Sequence, residues 1–209
     1  MPVLCDKDVY MAIANRQLNI DPLIRNNVQP GSVDLTLHNK IEVMELPPRI
    51  DFSAISSPEL KSFRKEIDIT ETGYELKHGD FVTGYSEELL ELPKNVVGKL
   101  SNRNSLVRVG LDAAISSFAN PGFKGRKTIV IRNFGPSTLI LRPGMRICQI
   151  TFFTMSSEAL RGYEERHDEK LLEQFTPIDF PGLRESVENI DNALSDFLND
   201  SIRRAAARN

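Results

Sequence analysis

The sequence predicts a mainly β protein with a short helix at its start and a second helix near its end. Between Ser32 and Phe153 lie short segments rich in β-branched and aromatic residues, most of which alternate apolar with polar side chains. Gly and Pro turn signals separate them: PG at 30, HGD at 78, NPG at 120, FGPS at 134 and RPG at 142. Helical spacing is sustained only outside this region. Many short strands at such intervals suit a barrel or a sandwich.

Residues 6–18 set Val9, Ile13 and Leu18 at roughly helical spacing behind Asp6, whose carboxylate can accept from the amides of a first turn. The strand candidates follow as VDLTL, KIEVMEL, YELK, DFVTGYS, VVGKL, KTIVIRN, STLILR and RICQITFF. Residues 48–70 have no clear period and read as an insertion with a helical turn. After Phe153 the strands stop, and GYEERHDEKLLEQF reads as a polar loop or a short exposed helix. Leu183, Val187, Ile190, Leu194 and Phe197 then follow spacings of 4, 3, 4 and 3, an amphipathic helix that packs on the body or on another subunit. The closing RRAAARN reads as a solvated end.

With 209 residues, 40% of them hydrophobic, the chain can bury one sizeable core in a single domain. Its 26 Lys and Arg against 29 Asp and Glu argue against bulk attraction to nucleic acid or to an anionic membrane. Cys5 and Cys148 are too few for a disulfide framework or a thiolate metal cluster, and no zinc is implied. No stretch approaches the ~20 apolar residues that cross a bilayer, so the expected location is the cytoplasm.

The most informative stretch is LSNRNSLVRVGL at 100–111, followed by NPGFKGR and then by RPGMRICQI at 142–150. Asn102, Arg103, Asn104, Ser105 and Arg108 form a polar, cationic cluster between apolar neighbours. Guanidinium groups bind phosphate oxygens in bidentate fashion and Ser and Asn add neutral donors, so the cluster reads as a phosphate cradle or as a solvated turn.

Five segments in order resemble the family of dCTP deaminases and trimeric dUTPases over residues 3–175. LCDKDVYMAIANRQLNIDP is similar to the opening helix of the deaminases, and PGSVDLTLHNK to the first shared motif, with Asp34 in its acidic position. SNRNSLVRVGL resembles the phosphate-binding motif, so that Arg103, Ser105 and Arg108 fall on the family's Arg, second Ser and later Arg, and Asn104 stands where a first Ser is usual. RPGMRICQI is similar to the motif that carries a nucleotide-contacting Gln, here Gln149. GYEERHDEKLLEQ resembles the segment that closes over the triphosphate, with Tyr163, Lys170 and Gln174 on its matching positions.

The resemblance implies a distorted β-barrel of dUTPase type, a homotrimer with sites between subunits, and a pyrimidine deoxynucleoside triphosphate bound with Mg²⁺ on its phosphates. Mg²⁺ commonly binds through substrate phosphates and waters, so no protein metal site is needed. It implies no membrane or nucleic acid as partner. Residues 1–175 would form the domain and 176–209 a helical extension.

The catalytic positions depart from the family pattern. The dUTPase Asp that activates water is replaced by Asn120, and a carboxamide has no basic oxygen at neutral pH. The deaminase Glu that shuttles protons is replaced by Val130, which transfers none. Asp34 and Asp112 are the candidate substitutes for the missing base, although Asp34 can equally be a structural acceptor and Asp112 a turn cap. His38 reads as a strand-surface residue, Cys5 and Cys148 as small buried apolar residues, and His167 and Asp168 as solvated. The leading reading is a nucleotide-binding member whose standard chemistry is impaired or replaced, sensing or processing an unusual nucleotide. The alternatives are an active hydrolase, a dCTP deaminase or dUTP pyrophosphatase using another base, and a structural subunit without nucleotide binding.

Overall fold

The computed structural model describes residues 2–51, 55–115 and 118–163. The chain opens with α1 (Asp6–Ala14), shorter than the spacing of its apolar residues suggests. Cys5, not Asp6, is its capping residue: Asp8 Oδ2 accepts from the Cys5 amide and from its thiol, both at 3.1 Å. Then come β1 (Asn19–Asp21), a 3-10 turn at Arg25–Asn27, β2 (Val28–Gln29) and the long β3 (Ser32–Met44). The stretch without a period contains α2 (Ser57–Ser62), started by Ser56 accepting from the Glu59 amide, and the strand β4 (Arg64–Asp68). The remaining elements are β5 (Tyr74–Leu76), β6 (Phe81–Glu91), β7 (Val96–Asn102), α3 (Asn104–Val107), β8 (Leu111–Asp112), β9 (Phe118–Ala119), β10 (Lys124–Asn133), β11 (Leu139–Leu141) and β12 (Arg146–Thr154).

The strands form one curled sheet in the order β8-β10-β6-β3-β12-β7-β9, with β1 on β6 and both β2 and β4 on β3. A small second sheet pairs β11 with β5. VDLTL and KIEVMEL are thus one strand. Its first half pairs with β2 and β12 and its second with β4 and β6, so β3 joins the two sides of the curl.

Alternation decides what faces inward. Leu35, Leu37, Ile41, Ile129, Ile131, Ile147, Ile150 and Phe152 are at most 1% exposed and belong to one continuous core, each contributing on the order of 1.5–3 kcal/mol of burial. Gly84 faces this core because a Cβ there would lie 2.7 Å from Leu37 Cδ1. Polar groups share the interior. Glu88 accepts from the Thr36 amide (2.9 Å) and hydroxyl (2.8 Å), and Lys127 is 7% exposed. The outer face of β3 and β6 is also buried, at Glu42 and Tyr85, 1% and 2% exposed. Among the described residues no helix is long and apolar enough to cross a membrane.

Candidate functional site

The informative stretch after Leu100 becomes the end of β7 and the single turn of α3. Asn102 holds it: its Oδ1 accepts from the Ala113 amide (2.7 Å) and its Nδ2 donates to Asp112 Oδ1 (2.8 Å). Asp112 Oδ1 also accepts from the Ala114 amide at 3.1 Å, so Asp112 is the turn acceptor that the sequence allowed. With β7 pinned to the loop after β8, Arg103, Asn104 and Ser105 stand at the start of α3 beside β12.

The neighbouring strands complete a cleft. Asp34 on β3 lies opposite Gln149 on β12, and Gln149 lies opposite Ser101 on β7. Asp34 is 3% exposed, and a buried carboxylate must be paired. Its Oδ1 lies 3.3 Å from Arg103 Nε and its Oδ2 3.3 Å from Arg146 Nη1. Arg103 Nη1 also donates to the Arg146 carbonyl at 3.2 Å. These groups, with Gln29, Asn104, Ser105 and Gln149, line a cleft of about 330 Å³. One carboxylate between two guanidiniums leaves a positive charge in excess, and both side chains reach solvent, at 25% and 44% exposure. Such a cleft suits a polyanion.

Arg103, Asn104, Ser105, Gln149 and Asp34 are therefore brought together. Asp34 is the organiser of the two arginines, since each of its oxygens faces a guanidinium. Arg108, at the C-terminal cap of α3, is exposed and lies off the cleft lining. Asn120 is exposed at the turn before β10, and Val130 is half-buried on β10; neither lines the cleft. Tyr163 sits over that same turn, its amide donating to Pro121 O (2.8 Å) and its ring centroid 5.7 Å from that of Phe123. His38 accepts from the Lys40 amide at 3.1 Å, and burial, with Arg126 nearby, holds its pKa below the usual value. Cys148 is fully buried, its thiol pushed up to about 12 by burial, while Cys5 is half-buried. Lys170, Gln174, His167, Asp168 and the helix from Leu183 lie outside the described residues.

Two cleft residues escape a reading of the sequence, Arg146 and Gln29. Period-two alternation would put Arg146 and Gln149, three apart, on opposite faces. A register shift between Arg146 and Cys148 brings both to the cleft. Gln29 arrives through the β2–β3 hairpin, opposite Ser32.

Comparison with known proteins bears on the family and the fold. The model of the family described as dCTP deaminase-like matches residues 3–155. The chain belongs to the dCTP deaminase-like family. It is 34% identical over 195 residues to a dCTP deaminase of Marinomonas sp., covering 89% of this chain and 99% of that relative. It is 30% identical over 181 residues to a dUMP-forming dCTP deaminase of Methanosphaera stadtmanae, covering 85% and 92%. Among solved structures, the 2'-deoxycytidine 5'-triphosphate deaminase of Agrobacterium tumefaciens is similar over 72% of this chain, with a TM-score of 0.57 at 23% identity, which bears on the fold. The chain spans about half (47%) of that protein's length. Within the dCTP deaminase-like match fall every residue of the cleft and both Asn120 and Val130; Tyr163 lies beyond it.

Proposed function

We propose that the chain binds a pyrimidine deoxynucleoside triphosphate, with Arg103, Arg146, Asn104, Ser105 and Gln149 on the phosphates, and that Asn120 and Val130 leave the standard chemistry impaired or replaced. The observation that carries this reading is the pair of guanidiniums set by Asp34 in a cleft of net positive charge. Both lie within the span matched by the deaminase family.

Arg108, Asn120, Val130 and Tyr163 belong to the same site but on another subunit. On this reading the chain works as a homotrimer whose subunits bring these four residues to their neighbours' clefts; none of the four lines the cleft of its own chain. Mg²⁺ fits a donor set of this kind as an ion carried by the nucleotide: among the described residues the cleft has one carboxylate, Asp34, already engaged by Arg103 and Arg146. Bound there, it would offset phosphate charge. Residues 176–209, outside the described residues, are on this reading an extension to the domain, and the protein works in the cytoplasm. A second reading, an active deaminase or dUTP pyrophosphatase with another base, is favoured by one observation, the buried carboxylate of Glu42 on the sheet face that carries Val130.

The test is calorimetric titration with dCTP, dUTP and modified deoxynucleoside triphosphates in Mg²⁺. Charge-assisted bonds are worth roughly 1.5–3 kcal/mol each, so Arg103→Ala weakens binding about tenfold or more. Unchanged affinity in that variant would remove the phosphate assignment.

A further inference from the structure

A groove of about 820 Å³ runs between α1, the turn that joins β6 to β7, and the residues at and after the end of β12. It shares no lining residue with the phosphate cleft. Leu4, Ala12, Ile13, Leu18, Leu92 and Val96 supply its apolar lining, and Met11, on the same wall, is 52% exposed. Val9 is the one buried residue of α1, so the helix rests on the body by a narrow contact and leaves apolar surface bare toward the groove. A bare apolar groove marks a surface that another element covers.

The chain itself supplies a segment that fits. After β12 the Met155 amide donates to Asn95 O (2.8 Å) and the Ala159 amide to Lys94 O (2.9 Å), so the backbone follows the groove wall that Pro93 and Asn95 form. Tyr163, the last described residue, is tied to Pro121 O, and the neighbouring Gly122 amide donates to Pro93 O at 3.3 Å. The chain therefore leaves the described body beside the groove. The nineteen residues 164–182 reach up to about 60 Å when extended, against a domain roughly 40 Å across. That length returns Leu183 to the groove without strain.

Leu183, Val187, Ile190, Leu194 and Phe197 are spaced as the apolar anchors with which a helix fills a groove. At about 100° per residue, Glu185, Glu188 and Asp196 fall on the opposite face, while Arg204 comes back to the edge of the stripe. The groove lining sets Asp8, Glu91 and Glu158 against Arg16. Its net negative charge repels the acidic face and attracts the arginine, which favours the seating with the stripe inward.

We propose that residues 183–204 seat their apolar stripe, as a helix, in the α1 groove of their own chain. The tether makes the own segment the occupant rather than a neighbour's, because a short linker sets a high local concentration. The packing joins the end of the chain to its first helix and covers Met11.

The test uses the full chain, and none of its readouts depends on nucleotide. In a Cys5→Ser background, Met11→Cys is combined in turn with Ile190→Cys, Leu194→Cys and Asn192→Cys, and each protein is oxidised. Peptide mass mapping should find a disulfide within one chain for the first two pairs and none for Asn192→Cys, which lies on the opposite face. Leu194→Asp should speed amide exchange in α1 about tenfold or more and lower the melting midpoint by about 4 °C, whereas Asn192→Asp moves neither. Met11→Asp should act like Leu194→Asp, and the two together should cost little more than either alone. Should Met11→Asp fail to fold, Leu194→Asp and the disulfides carry the test. Disulfides formed only between chains, equal linking through Asn192→Cys, unmoved α1 exchange in Leu194→Asp, or full additivity of the two aspartates overturns the proposal.

Discussion

Asp34→Asn separates charge from position in the phosphate cleft. The change raises the net positive charge of the cleft, so if charge alone set affinity, triphosphate binding would tighten. Yet Asp34 is what aligns Arg103 and Arg146. Binding should therefore weaken by calorimetry, and the melt should show a loss of about 2 kcal/mol, below the 3–5 of a fully buried pair because both arginines reach water. Lys127 offers a pH test. Burial pulls its amine down to about 8, against Cys148, which raises it. A lysine depressed in the folded state is penalised below pH 8, and the penalty lifts as pH rises from 8 toward the ordinary 10.5. Denaturation should show wild type gaining on Lys127→Met by on the order of 3 kcal/mol across that window, the buried Cys148 thiol contributing alike to both. Asn120→Asp restores a carboxylate at constant volume, and dUTP hydrolysis should rise by about 10²-fold or more, read by pyrophosphate release. At this scale Arg103, Ser105 and Gln149 are legible in the sequence because they sit in compact motifs. Glu42 and Lys127 are not, because a charged residue in an alternating strand looks solvent-facing until the layer above or the interior around it is known.

The strands are legible from their alternation and turn signals, and β10 and β12 nearly coincide with KTIVIRN and RICQITFF. The misreadings have local causes. His38 and Asn39 look like a break, but they lie where the β3–β6 register shifts between Leu37 and Ile41, and the strand continues. β4 lacks a period because it is largely exposed and held by its ladder to β3. The turn behind α3 depends on two glycines. Gly110 has φ +90°, and a Cβ on it would lie 2.2 Å from Gly135 Cα. Gly135 is held in turn by its amide donating to Asn133 Oδ1 at 2.9 Å. Gly110→Ala adds backbone strain and a backbone clash, so it should cost about 3 kcal/mol or more in chemical denaturation. Because α3 ends at this turn, the same variant should also bind triphosphate more weakly.

For the whole molecule, the shared-site reading predicts a mass by light scattering of about three times the 23.6 kDa chain. A monomer that binds nucleotide would count against it. The curled barrel-like sheet was legible from strand count and punctuation, whereas assembly was not, since outward residues such as Phe118 and Phe134, 54% and 49% exposed, carry no mark of what they meet. The cleft on β3, β7 and β12 and the positions on and before β10 stand apart in one chain, which has a genetic consequence. On the shared-site reading, a variant lacking Arg103 and one lacking Arg108 are defective in different contributions to one site. Co-refolded in equal amounts, they should complement each other in trans: by random mixing about one site in four draws both contributions from intact chains. Recovered tight binding of triphosphate would appear only in the mixture, never in either parent, and no gain would be seen if each chain built its site alone.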